Sequence, residues 1–195
     1  TWQAQTLFYQ GQTLLPLADL KLQGKHNLEN IFAALAVADI LNIPGDSVKK
    51  TLATFQGIAH RMESLGEFQQ RLFINDSKAT NSHAARASIR SFDRVVWVAG
   101  GLAKGAEYED LIQDVRDRLA AVVLIGADKA LIADALARFA PEVPVTLIDG
   151  PPDAVEIMDQ VVRAAAEFAA PGETVLLAPA AASMDQFRDY AHRGE

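Results

Sequence analysis

Residues 95–139 read VVWVAGGLAKGAEYEDLIQDVRDRLAAVVLIGADKALIADALARF. Two apolar runs in this stretch, residues 95–99 and 121–125, have the length and valine content of buried strands. Each is followed by glycine and then by a segment of helical periodicity, residues 108–119 and 129–139. Strand, glycine, amphipathic helix and strand again is the rhythm of a parallel sheet with helices on its faces. The rhythm continues downstream: residues 143–148 read as extended, 154–168 as helical, 175–178 as extended and 184–192 as helical. Upstream, two extended runs at 62–68 and 71–74 lead into the polar cluster 75–81. The expected fold class is α/β, with a doubly wound, mostly parallel sheet.

Before residue 60 the pattern differs. Residues 6–9 and 13–16 are short extended segments around the turn Gln10-Gly11. Leu28, Ile31, Phe32, Leu35 and Ile40 then recur at close to helical spacing, with alanines between them. Asn42-Ile43-Pro44 ends that helix, and Pro44 suits the first position of another running through Phe55. A boundary near Ala59 follows, with a small helical piece over 1–59 and an α/β domain over 60–195.

Composition narrows the function classes. Half the residues are hydrophobic and 22% are charged, an ordinary globular balance. The net charge is −7, which disfavours nucleic acid as a partner. No run approaches the ~20 apolar residues of a membrane span, so membrane insertion is not expected. The beginning, Thr1-Trp2-Gln3, lacks the pattern of a signal peptide. Cysteine is absent, which excludes disulfides and thiolate chemistry and suits a cytoplasmic location. The histidines are scattered and form no metal-ligand spacing. Gly24-Lys25 lacks the upstream glycine of a phosphate loop.

In open α/β sheets ligands bind outside the carboxyl ends of the strands, and three polar segments fall there. The first is Asn75-Asp76-Ser77-Lys78-Ala79-Thr80-Asn81. Asp76 can accept hydrogen bonds from a ribose, and Lys78 can pair with a carboxylate or phosphate. Thr80 or Asn81 can instead cap the following helix. The second is Gly100-Gly101-Leu102-Ala103-Lys104-Gly105, in which glycines admit a ligand to the backbone and Lys104 adds charge. A plain turn with a solvated lysine explains it equally. The third runs from Pro179 through Ala180-Ala181-Ala182-Ser183-Met184-Asp185 to Gln186. Its small residues leave room for a ligand before a helix whose free amides suit a carboxylate, and Ser183 either contacts that ligand or caps the helix. His60-Arg61, at the boundary, offers a base, a nucleotide contact or a hinge.

These segments resemble the Mur ligase family. Gly24-Lys25-His26-Asn27-Leu28-Glu29-Asn30 is similar to the family's G-x-H-N-x-x-N signature. Residues 57–63 resemble its link into the C-terminal domain. Residues 75–81 and 179–187 resemble the branch that adds D-glutamate. The family fold implied has three domains, with residues 1–59 as the tail of the central ATP-binding domain and 60–195 as most of a Rossmann-like C-terminal domain, cut at both ends. The activity implied for the parent enzyme is ATP-dependent ligation of D-glutamate to UDP-MurNAc-L-alanine through an acyl phosphate, in peptidoglycan synthesis. ATP and Mg2+ are implied, with their main binding elements outside this chain, so the chain alone is expected to be inactive; a monomer is expected. Resemblance places Lys78, Thr80, Lys104, Ser183, Met184 and Tyr190 on D-glutamate, and Asn27, Asn30, His60, Arg61 and Asp76 around the nucleotide. Tyr190 stands where phenylalanine is expected, a harmless change if that position acts through its backbone amide. No catalytic or metal-ligating residue is singled out. A sibling Mur ligase, a folylpolyglutamate ligase and a non-catalytic α/β ligand-binding module are the competing readings. The absence of an Asn-Pro-Arg cluster argues against the diaminopimelate-adding sibling.

Overall fold

The computed structural model describes residues 2–3, 5–22, 25–55, 57–150 and 154–195. Gly24, the first residue of the G-x-H-N pattern, and Thr1 lie outside the described residues, as do the side chains of Lys25 and His26. The chain divides into two compact units, Thr1–Gly57 and Ile58–Glu195.

The first unit carries three antiparallel strands in sheet order β1 (Trp2–Gln3), β2 (Thr6–Tyr9) and β3 (Gln12–Pro16). Helices α1 (Lys25–Ile40) and α2 (Gly45–Thr54) follow. Leu7, Tyr9, Leu14 and Leu15 from the strands pack with Ile31, Leu35 and Val48 from the helices. Pro44 stands one place outside α2 as its N-cap rather than as its first residue. Asn27 and Asn30 lie on the first turns of α1, half-buried and exposed respectively.

The second unit begins with an antiparallel pair, β4 (Glu63–Phe68) and β5 (Arg71–Asn75). Alternating helices and strands follow: α3 (Ser82–Ile89), β6 (Val95–Gly100), α4 (Glu109–Val115), β7 (Leu119–Ile125), α5 (Lys129–Phe139), β8 (Val145–Leu147), α6 (Ala154–Phe168) and β9 (Thr174–Leu177). A five-residue helix, α7 (Tyr190–Gly194), comes last. The sheet order is β4-β5-β9-β6-β7-β8, parallel throughout except for the β4–β5 pair.

Period-two alternation divides the strand side chains between two cores. Val95, Trp97 and Ala99 of β6 pack with α3, α4 and α5, whereas Val96 and Val98 pack with α6. Both faces of β6 are covered, which is why its sequence is an unbroken apolar run. Ile157, Val161 and Ala165 recur every four residues on α6 and are fully buried against the sheet. Complete burial of Ile157 or Val161 contributes about 1.5–3 kcal/mol each.

The order of strands locates the crevice. After β5 the chain crosses β9's position to reach β6, and steps outward to β7 and β8 with α3, α4 and α5 on one face. It then returns by α6 on the opposite face to insert β9 between β5 and β6. A reversal of this kind opens a cleft above the carboxyl ends of the strands beside it. Those ends carry residues 75–81, 100–105 and 179–187.

Two expected elements differ. The helix over 108–119 closes at Val115, because a 3-10 turn at Arg116–Arg118 redirects the chain so that Leu119 can enter the sheet fully buried. The helix over 184–192 does not form. The chain makes one turn, in which the Gln186 and Phe187 amides donate to Ser183 O at 3.2 and 2.9 Å. Asp189 then adopts an extended conformation and its Oδ1 accepts from His192 N at 2.9 Å, starting α7 afresh. The expected helix terminus at Ser183 is therefore absent, and Ser183 caps no helix.

Candidate functional site

Asn81 explains itself first. Its Oδ1 accepts from Ala84 N at 2.9 Å, so Asn81 rather than Thr80 caps α3. Asp76 is buried; its carboxylate accepts from Met62 N at 3.2 Å and also takes the Ser88 hydroxyl. That engagement joins the start of β4 to α3 and turns the carboxylate inward.

Lys78 and Thr80 are half-buried, and they lie on either side of Ala79, whose carbonyl accepts from Ala180 N at 2.8 Å. That bond seats the first segment on the third. The second segment joins them through Leu102 and Ala182, which exchange backbone hydrogen bonds at 2.8 and 3.0 Å. Lys104, two residues beyond Leu102, is exposed, as is Met184, whereas Ser183, directly after Ala182, is buried. Lys78, Thr80, Lys104, Ser183 and Met184 thus come from three loops that are bonded to one another. Asn27 and Asn30 belong to the other unit.

Gly100 and Gly101 are required where this loop passes closest to neighbouring backbone. Gly100 has φ +113° and a β-carbon there would stand 2.0 Å from Ile125 O. Gly101 has φ +136° and a β-carbon would stand 2.0 Å from Ala182 O. Side chains rarely adopt such backbone and here would also collide with fixed carbonyls. The Gly100 amide is committed to Pro179 O at 2.8 Å, and the Ala103 amide to Asp128 Oδ2 at 2.8 Å.

Arg193 is the residue that the sequence did not single out. It sits on α7 at 1% exposure, with its guanidinium among the three loops. Nε donates to Ser77 Oγ at 3.1 Å and Nη2 to Ser77 O at 2.9 Å. Nη1 donates to Ala181 O at 3.2 Å and Gly100 O at 3.4 Å. One planar fork therefore meets acceptors from all three segments. Burial pushes the guanidinium down to about 10, against the opposing pull of Asp185, so it stays charged at neutral pH. The Asp185 Oδ2 accepts from Ala127 N at 2.8 Å, while its Oδ1 is buried without a hydrogen-bond partner.

His60 and Arg61 stand beside this knot. Asn75 Nδ2 donates to Gly194 O at 2.8 Å, and Asn75 Oδ1 accepts from Ser77 N at 3.2 Å. These two bonds fix the amide's orientation, so its NH2 group faces His60 Nδ1 at 3.0 Å. In this contact His60 Nδ1 is the acceptor. The His60 backbone has φ +62° and its amide donates to Glu63 Oε2 at 2.8 Å. Arg61 is exposed.

Tyr108 closes the floor. Its ring is 2% exposed and its hydroxyl donates to Ala180 O at 3.3 Å. Burial, and then the charge of Asp128, raise its pKa above 10.0. The folded state thus favours the neutral phenol more than the unfolded state does. Its contribution to stability is complete below pH 10 and falls as pH rises through the folded-state pKa. Urea unfolding at a series of pH values above 9 should show a declining midpoint, and Tyr108→Phe should remove the tyrosine part of that decline. An identical pH dependence in Tyr108→Phe would exclude the assignment.

The fold and these loops define an α/β domain with a cation-bearing site at the carboxyl ends of its strands. Residues 60–181 match the family described as Mur ligase, glutamate ligase domain, and the chain belongs to that family. It is 46% identical over 184 residues to a UDP-N-acetylmuramoylalanine–D-glutamate ligase of Streptomyces avermitilis, covering 94% of this chain and 39% of that protein. Proteins of the same name in Frankia casuarinae and Mycolicibacterium smegmatis are 47% and 41% identical, over 95% and 96% of this chain and 38% and 44% of theirs. The chain spans about two fifths of the length of these relatives. Among solved structures, it superposes on UDP-N-acetylmuramate–alanine ligase MurC of Thermotoga maritima with TM-score 0.60 at 18% identity, covering 83% of this chain and 36% of that one. MurF of Acinetobacter baumannii gives 0.59 at 19% identity over 81% and 35%. These two likenesses concern the fold.

Proposed function

We propose that this chain supplies the amino-acid-binding part of an ATP-dependent ligase that joins D-glutamate to UDP-MurNAc-L-alanine in peptidoglycan synthesis. The observation that carries the reading is identity of 41–47% across nearly the whole chain to ligases of that name. The geometry supports it, because the loops offer cationic and small polar side chains to a dianionic amino acid.

In this reading ATP phosphorylates the alanine carboxylate. The amine of D-glutamate attacks the acyl carbon, the C–N bond forms and inorganic phosphate leaves. The chain's own task is to hold D-glutamate with its amine aimed at that carbon, a positioning role that can supply much of the rate. Lys78 and Lys104 meet carboxylates, Thr80 and Ser183 donate hydroxyl hydrogen bonds, and the main chain at Met184 and Tyr190 completes the pocket. By the same resemblance His60, Arg61 and Asp76, and in the other unit Asn27 and Asn30, are assigned to the nucleotide. Among the described residues no group of three or more His, Cys, Asp or Glu side chains is placed to hold a metal ion. No helix among them is long and apolar enough to cross a membrane, and the absence of cysteine suits work in the cytoplasm.

The full-length protein containing this chain should be given UDP-MurNAc-L-alanine, ATP, Mg2+ and equal amounts of D-glutamate, L-glutamate and diaminopimelate. Mass spectrometry and chiral analysis should find D-glutamate in the product. Incorporation of another acceptor would keep the family and discard this substrate, and no product with any acceptor would sink the ligase reading.

A further inference from the structure

Tyr190 does more than present a backbone amide. The Lys78 ammonium stands over its ring, with Nζ 3.9 Å from the centroid. The ring of His60 meets the same ring edge-on, at 6.3 Å between centroids and 76° between planes. Tyr190 is itself fixed. Its carbonyl accepts from Ser77 Oγ at 2.7 Å, and Gly194, at the other end of α7, accepts from Asn75. Between them Arg193 anchors the helix to Ser77. The backbone that carries the ring is thus tied to residues 75–77, directly beside the lysine.

A lysine head on a flexible four-carbon stem samples many rotamers. An aromatic face at this distance attracts the ammonium without neutralising it. It leaves the charge available to a carboxylate, whereas an acidic partner would compete for it.

We propose that the aromatic ring of Tyr190 is a positioning residue for Lys78, holding the ammonium where the acceptor amino acid's carboxylate arrives. The proposal rests on the reading that Lys78 faces that acceptor. In the full-length ligase, Tyr190→Leu should raise KM for D-glutamate about 3- to 30-fold, the range expected for a cation–π contact. KM for ATP should stay within about twofold. Tyr190→Phe should bring KM for D-glutamate back near the wild-type value, because the ring and not the hydroxyl does the work.

A second readout needs no substrate. In the labelled 195-residue chain, ring current should shift the Lys78 Hε resonances upfield; Tyr190→Leu should abolish that shift and Tyr190→Phe retain it. A well-dispersed spectrum reports that the variant is folded. If the ligase uses D-glutamate and Tyr190→Leu leaves its KM unchanged, the proposal is overturned alone. If the wild-type ligase ignores D-glutamate, the functional reading falls and the proposal with it, whatever the resonances show.

Discussion

Arg193→Ala should lower the stability of the α/β unit by about 3–5 kcal/mol. A hydrogen bond to a charged group contributes about 1.5–3 kcal/mol, and contributions around one guanidinium are less than additive. The substitution strands Ser77 O, Ala181 O and Gly100 O in a buried place and empties the volume of a large side chain. Trp97 is a fully buried reporter on β6, its Nε1 donating to Ala178 O at 2.7 Å. In a Trp2→Phe background its fluorescence follows this unit alone. With a urea m-value near 2 kcal/mol/M, the midpoint should fall by about 2 M. Arg193→Lys should recover less than half of the loss, since a point charge cannot reach acceptors on three loops as a planar fork does. A loss below about 1 kcal/mol would mean that water satisfies the carbonyls and that Arg193 does not hold the loops.

Lys78→Ala should cripple acceptor use. In the full-length ligase, kcat/KM for D-glutamate should fall about 30- to 4000-fold, the effect of leaving a charge in the site without its partner at about 2–5 kcal/mol. KM for ATP should change by less than about threefold, because the role proposed for the lysine lies with the acceptor and not with the nucleotide. Steady-state kinetics with each substrate varied in turn measures both numbers. An unchanged D-glutamate dependence removes Lys78 from the site, and equal losses for both substrates point to a loop that has lost its shape.

The α/β architecture was legible because its central strands are buried on both faces. Residues 95–100 and 119–125 had to be apolar without interruption, and such runs stand out in a sequence. Helices 129–139 and 154–168 were legible for the complementary reason, one polar and one apolar face at helical period. The segment 184–192 misled because Met184, Phe187 and Ala191 mimic that period. The backbone leading into it is committed elsewhere: Ala180 has φ +58°, and the carbonyl and amide of Ala182 are bonded to Leu102. Asp189, three residues before His192, was the available signal that a new helix begins there.

The site divides along the same line. Its polar segments were visible, since seven residues such as Asn75 to Asn81 directly after an apolar strand are hard to explain as a turn. Which side chains face inward was not visible. Nothing local to Asp76 shows that its carboxylate accepts from the Met62 amide and takes the Ser88 hydroxyl. Arg193 looks like a solvated charge near a chain end, because the carbonyls that bury it come from residues 116 and 93 positions away as well as from nearby Ala181. Contacts at that separation leave no local pattern to read.

Hydrogen–deuterium exchange on the full-length ligase tests most directly where the acceptor binds. The protein, held with UDP-MurNAc-L-alanine and a non-hydrolysable ATP analogue, should be compared without an added amino acid, with D-glutamate and with L-glutamate. D-glutamate alone should slow exchange in peptides covering residues 75–81, 100–105 and 179–190. Protection confined to other regions, or equal protection by L-glutamate, would contradict the assignment of the D-glutamate site to these three loops.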